Sequence, residues 1–173
     1  TVYELPPQGQ GIAALMVLNI MERYPLGEWG FHDPRAMHVM IEAKKLAYAD
    51  MIRYVADPKV SQVPVTAMLD KTHAEARAKL IDPAKAACSV EPSKFSGLTD
   101  GEGGDTIYLS VIDRDGNIVW LIQSLFSSFG TGIVAPGTGV MHHNRGALFT
   151  PEDGHPNQIA PRKRPLHTII PAF

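Results

Sequence analysis

The sequence predicts an α/β protein in which a helical part leads, through a polar loop, into a β-rich part. Three observations carry this expectation. Apolar residues recur at helical spacing through Ile12, Leu15, Met16 and Ile20 and again through Met37, Met40, Ile41, Tyr48, Ile52 and Val55. The composition then turns to Ser, Pro, Gly and Asp over residues 84–104. Beyond it, two β-branched runs flank Arg114-Asp115-Gly116-Asn117, a hairpin turn signal. Few charges interrupt these runs, so both faces of the sheet are expected to be covered, as in a layered α/β arrangement rather than an open sandwich.

The elements follow in order. Pro6-Pro7-Gln8-Gly9 breaks the chain before the first helix, and Pro25 and Gly27 end that segment. Asp33-Pro34 reads as an N-cap with proline at the first helical position. The long helix it opens stops before Asp57-Pro58, and a third helix is expected from Thr66 to Ile81, stopped by Asp82-Pro83. Strands are expected over residues 106–112 and 118–125, followed by the tight glycine turn Phe129-Gly130-Thr131-Gly132-Ile133-Val134.

Bulk properties narrow the function classes. A chain of 173 residues with 45% hydrophobic content can build one ordinary core. A net charge of −2 and a pI near 6.3 give no basic surface for nucleic acid or anionic membrane, and Lys163-Arg164 is too short a basic run. One cysteine, Cys88, excludes an intrachain disulfide framework and a multi-cysteine metal site. His142 and His143 would point to opposite faces of a strand, so no metal is expected there. Gly130, Gly132, Gly137 and Gly139 are explained by turns, and no cofactor is expected. No apolar run approaches the length of a membrane span. The chain lacks an initiator Met and stops in mid-pattern at Ile169-Ile170-Pro171-Ala172-Phe173, so a piece of a longer protein is expected. Without a signal-peptide pattern at Thr1-Val2-Tyr3-Glu4-Leu5, the compartment stays open between cytoplasmic and periplasmic or secreted.

The chemistry concentrates at Gly103-Gly104-Asp105-Thr106, where a glycine-rich segment meets a strand headed by threonine. Scission before Thr106 would give that residue a free α-amine beside its hydroxyl, and an amine can act as base for the adjacent nucleophile. The same hydroxyl could make the cut by attacking the carbonyl of Asp105. As a bare strand residue, Thr106 would be unremarkable, since β-branched residues favour strands.

Asp105-Thr106, Asp113-Arg114-Asp115-Gly116-Asn117, Phe129-Gly130-Thr131-Gly132-Ile133-Val134 and Lys163-Arg164-Pro165-Leu166, together with Leu46-Ala47-Tyr48-Ala49-Asp50 and Asp57-Pro58, resemble the γ-glutamyltranspeptidase family in order and spacing. The resemblance covers nearly the whole chain. It implies an N-terminal-nucleophile hydrolase with an αββα sandwich, made as a precursor that cuts itself. Residues 1–105 would be the end of the large subunit, with a linker at 84–105, and 106–173 the start of the small one, together one domain. The remainder of both subunits would be its partner. Thr106 would attack a γ-glutamyl amide and form an acyl-enzyme, released by water or an acceptor amine. Ser124 stands where the family has a second hydroxyl that hydrogen-bonds the nucleophile.

The implied substrate-binding residues are Asn144, which matches the family, and Phe126, Arg145, His167 and Thr168, which do not. Asparagine is usual at Phe126, glutamine at Arg145, aspartate at Leu148 and two serines at His167-Thr168. Without the aspartate a ligand ammonium loses its partner, at about 3–5 kcal/mol if buried. Arg145 suits a carboxylate, which a guanidinium fork binds bidentately. The first expectation is therefore a γ-glutamyl substrate of glutathione type, the close rival a glutaryl-type amide as in cephalosporin-acylase-like relatives. A non-catalytic relative that stays uncut and only binds a ligand is an alternative of another class.

Overall fold

The computed structural model describes residues 1–30, 32–95, 107–170 and 172, with Ile107 and Tyr108 described in their backbone only. The expected cut at Asp105-Thr106 and the linker from residue 96 onward lie outside the described residues.

Helix α1 (Gly11–Met21) buries Ile12, Ala13, Met16 and Ile20 along one stripe. Helix α3 (Pro34–Tyr54) starts as the sequence predicts: the Asp33 carboxylate accepts from the backbone N–H of Arg35 at 2.8 Å, and Pro34 takes the first turn. Its inner face presents Ala43, Leu46, Ala47, Met51 and Tyr54. The small residues Ala43 and Ala47 let α1 and α3 approach closely. Burying each of the larger side chains contributes about 1.5–3 kcal/mol. Between them, Pro25 opens a four-residue helix, α2 (Leu26–Trp29), where the sequence reading placed only a break.

The third helix differs from expectation in being split. A short α4 (Val65–Met68) precedes α5 (Lys71–Ala78). The break falls at Asp70, whose carboxylate accepts from the backbone N–H groups of Thr72 and His73 and so starts a new helix.

Asp50, 0% exposed one turn before the end of α3, anchors the chain that follows α5. It pairs with the Arg77 guanidinium at 3.3 Å and His73 at 3.2 Å, and accepts from the backbone N–H and hydroxyl of Ser93. Arg77 also donates to the carbonyls of Leu46 and Glu91. Tyr54 bonds the Ser93 carbonyl and receives the Phe95 N–H.

Strands β1 (Ile107–Ile112) and β2 (Ile118–Gln123) form an antiparallel hairpin with Ile107 opposite Gln123 and Ile112 opposite Ile118. Asp113 shapes the turn by accepting from Asp115 and Asn117, and Gly116 adopts φ +83°. Strand β2 ends at Gln123, two residues earlier than expected, because the Ser124 hydroxyl accepts from the Phe126 N–H at 2.8 Å and turns the chain. Among the described residues the hairpin's faces are not covered as expected: Leu109, Val111, Val119, Trp120 and Leu121 are exposed.

Residues on the two sides of 96–106 share one core. Leu148 and Leu166 pack with Ile12, Met16, Met51, Tyr54 and Met68. Among the described residues no helix is long and apolar enough to cross a membrane.

Candidate functional site

The chain reaches the site through a tight double turn. Gly130 has φ +61°, and a Cβ there would stand 2.3 Å from the His142 carbonyl oxygen, so only glycine fits. That carbonyl accepts from the Thr131 N–H at 2.9 Å, and the His142 N–H donates to Ile133. The pairing folds residues 141–145 back onto the turn after β2. There Asn144 closes the junction: its N–H donates to Leu125 at 3.1 Å, its Oδ1 accepts from Ser127 at 3.0 Å, and its Nδ2 donates to the Ser127 carbonyl.

A 3₁₀ turn, Arg145–Leu148, follows. It sends Leu148 into the apolar core and Arg145 toward Thr168. The Arg145 side chain is 3% exposed; Nη1 donates to the Thr168 hydroxyl, and the guanidinium carbon lies 5.3 Å from the centre of the Phe126 ring. Burial pulls its pKa down. No carboxylate among the described residues pairs with it.

Phe126 holds φ +80°, a region where asparagine is more at ease than phenylalanine. His167 neighbours Arg145, and its pKa is pushed down to about 4 by burial first, then by the charges of Arg145 and His143. It is neutral near pH 7 and adds no second charge beside the guanidinium. Its Nδ1 is buried and finds no hydrogen-bond partner among the described residues.

Ser124, Phe126, Asn144, Arg145 and Thr168 thus come together through contacts from one to the next, with His167 adjoining. Thr106 and Asp105 lie outside the described residues. Asn144, expected to touch substrate, spends its amide on Ser127. The sequence reading missed His143, whose Nδ1 accepts from the Arg145 N–H at 3.1 Å, and Asp57, which holds Arg164. Asp57-Pro58 carries only a helix-stop signal locally, so nothing near it points 107 residues onward. Elsewhere, Ser93, Asp50 and His73 cluster, but the carboxylate lies between hydroxyl and imidazole, an order that cannot pass a proton from Ser to His.

Comparisons with known proteins identify the family and the fold. The chain is 36% identical over 173 residues to the glutathione hydrolase-like YwrD proenzyme of Bacillus subtilis (strain 168), covering 100% of this chain and 31% of that protein. It is 37% identical over 185 residues to the glutathione hydrolase proenzyme of Escherichia coli (strain K12), covering 99% of this chain and 31% of that protein. The chain therefore spans about a third of the length of these curated relatives. Among solved structures, the cephalosporin acylase from Bacillus halodurans aligns with a TM-score of 0.83 and 38% identity, over 99% of this chain and 30% of that one. With that acylase the chain shares the α+β fold of the N-terminal-nucleophile hydrolases, of which it holds helices and a small antiparallel sheet. The family described as gamma-glutamyltranspeptidase matches residues 1–173, and the chain belongs to that family.

Proposed function

We propose that this chain is the junction region of an autoprocessing N-terminal threonine amide hydrolase whose acyl pocket takes a carboxylate-bearing acyl group lacking an α-ammonium. The observation that carries the substrate class is Arg145, a buried guanidinium with no carboxylate partner among the described residues, stacked on Phe126 and bonded to Thr168. Leu148, where the family's aspartate is usual, lies in the apolar core and offers nothing to an ammonium.

In this reading the Thr106 hydroxyl attacks the Asp105 carbonyl, the peptide C–N bond breaks and frees the Thr106 amine, and water then hydrolyses the resulting ester, freeing the Thr106 hydroxyl and leaving a carboxylate on Asp105. That amine then takes the hydroxyl proton as Thr106 attacks the substrate amide. The C–N bond of the amide breaks, the departing amine carries the proton away, and the acyl group remains as an ester on Thr106. Water, or an acceptor amine, releases it. Ser124, at the end of β2, supports the nucleophile with a hydroxyl that can donate and accept. The remainder of the large and small subunits completes the enzyme.

A γ-glutamyl substrate of glutathione type is the second reading, favoured by the retained Asn144 and by the glutathione hydrolase names of the relatives. The two are separated by turnover of a glutaryl and a γ-glutamyl chromogenic amide on the full-length protein. The proposal expects the glutaryl amide to be preferred and the preference to vanish in Arg145→Ala; an unchanged preference would remove the carboxylate clamp. An uncut protein that turns over neither amide would instead favour a non-catalytic binding relative.

A further inference from the structure

The segment carrying His167 and Thr168 is held chiefly by residues from the other side of the junction. The His167 N–H donates to the Gln8 carbonyl at 3.0 Å, and the Gln10 N–H donates to the Ile169 carbonyl at 3.2 Å. Leu166 enters the core against α1 and α3. At its head stands the strongest of these ties. Asp57, 1% exposed just beyond α3, accepts from Arg164 at Nη2 (2.6 Å), at Nε (3.2 Å) and at the backbone N–H (3.1 Å). A planar fork on a carboxylate fixes direction as well as distance, and the backbone bond fixes the main chain itself. Its remaining oxygen capacity is used by the Lys59 N–H. These donors, the guanidinium foremost, hold the carboxyl below the usual carboxylate range, so the pair stays charged at working pH.

We infer that Asp57 is a positioning residue for the acyl pocket: through Arg164 it sets the segment that places Thr168 against Arg145, and it does so across the cut, without a covalent link. This rests on the carboxylate-pocket reading above. Three residues separate Arg164 from Thr168, and Leu166 is buried between them, so a shift at Arg164 is carried to Thr168 by a segment with little slack. Among the described residues no carboxylate holds the Arg145 guanidinium, and its contacts there are Thr168 and Phe126.

The test uses the full-length, processed protein and compares Asp57→Asn, Asp57→Glu and Arg164→Gln with the parent. The substrates are a glutaryl anilide and an acetyl anilide, which lacks the distal carboxylate. Arg164→Gln leaves the buried Asp57 carboxylate with only its backbone donors, whereas Asp57→Asn removes the buried charge and leaves the half-exposed Arg164 to solvent, so the stability of each variant is measured beside its kinetics. The inference expects KM for the glutaryl anilide to rise roughly tenfold in Asp57→Asn and Arg164→Gln, as one lost positioning contact would give. The acetyl anilide KM and both kcat values should hold, and Asp57→Glu should recover most of the loss. Equal losses on both substrates, or lost stability with unchanged KM, would make the pair structural only and overturn the inference. If the parent shows no preference for the glutaryl anilide, the pocket reading fails instead.

Discussion

The guanidinium of Arg145 and the ring of Phe126 lie 5.3 Å apart, cation over aromatic face, in a site where the arginine is buried and the phenylalanine holds a positive φ. In the proposed pocket the two act together: Phe126 helps hold the cation, and the guanidinium N–H groups would meet a carboxylate as a fork. Arg145→Lys should therefore keep the charge but lose the fork. On the full-length enzyme, kcat/KM for a glutaryl amide should fall about tenfold in Arg145→Lys and about tenfold further in Arg145→Ala, from charge-assisted hydrogen bonds of roughly 1.5–3 kcal/mol. Steady-state kinetics of the two variants checks this order.

The glycine turn supports the same site from below. Gly130→Ala forces a Cβ to within 2.3 Å of the His142 carbonyl in left-handed backbone. It should cost more than about 2 kcal/mol and disturb Asn144 and Arg145. Gly132→Ala, at φ +72° with open space around it, should cost about 1–2 kcal/mol from conformation alone. Denaturant midpoints of the two variants separate steric contact from backbone preference.

His167 makes stability depend on pH in a defined direction. Its folded pKa of about 4 lies below its ordinary 6.5, so in acid the unfolded chain takes up a proton that the folded chain refuses. Stability is therefore lost as pH falls from about 6.5 toward 4, and nothing is lost above that window. The neutral variant His167→Gln should show a smaller fall in Tm between pH 7 and 4.5 than the parent does.

Asp50 carries a different load. It is fully buried with Arg77, His73 and both donors of Ser93. Asp50→Ala leaves Arg77 as a buried unpaired cation and should destabilise by about 3–5 kcal/mol, read as a shift in urea midpoint.

Much of the local structure was legible because its causes are local. The Asp33-Pro34 cap and the Asp113–Asn117 turn each declare themselves within a few residues, whereas the stripe expected on the long helix leaves Met37 and Ile41 exposed and the buried face runs through Ala43, Leu46, Ala47 and Met51. The splitting of the third helix at Asp70 was not legible, because an aspartate inside an amphipathic run reads equally as a solvent-facing residue. Arg145 and Phe126 were marked as departures from a pattern, but their stacking depends on the fold of residues 129–144, which no local periodicity reveals. Asp57 was read as a helix stop because its partner Arg164 is distant in sequence. The exposed hairpin follows from the share of the protein in view: its apolar faces are written in the sequence, and the layers that would cover them are not supplied by the described residues.

The account depends most on Thr106 becoming an N-terminal residue. Mass-spectrometric identification of the chain ends in the full-length protein tests this directly. The expected result is a fragment beginning Thr106-Ile107-Tyr108-Leu109, absent from Thr106→Ala. A single uncut chain, a cut elsewhere, or the same cut in Thr106→Ala would contradict it.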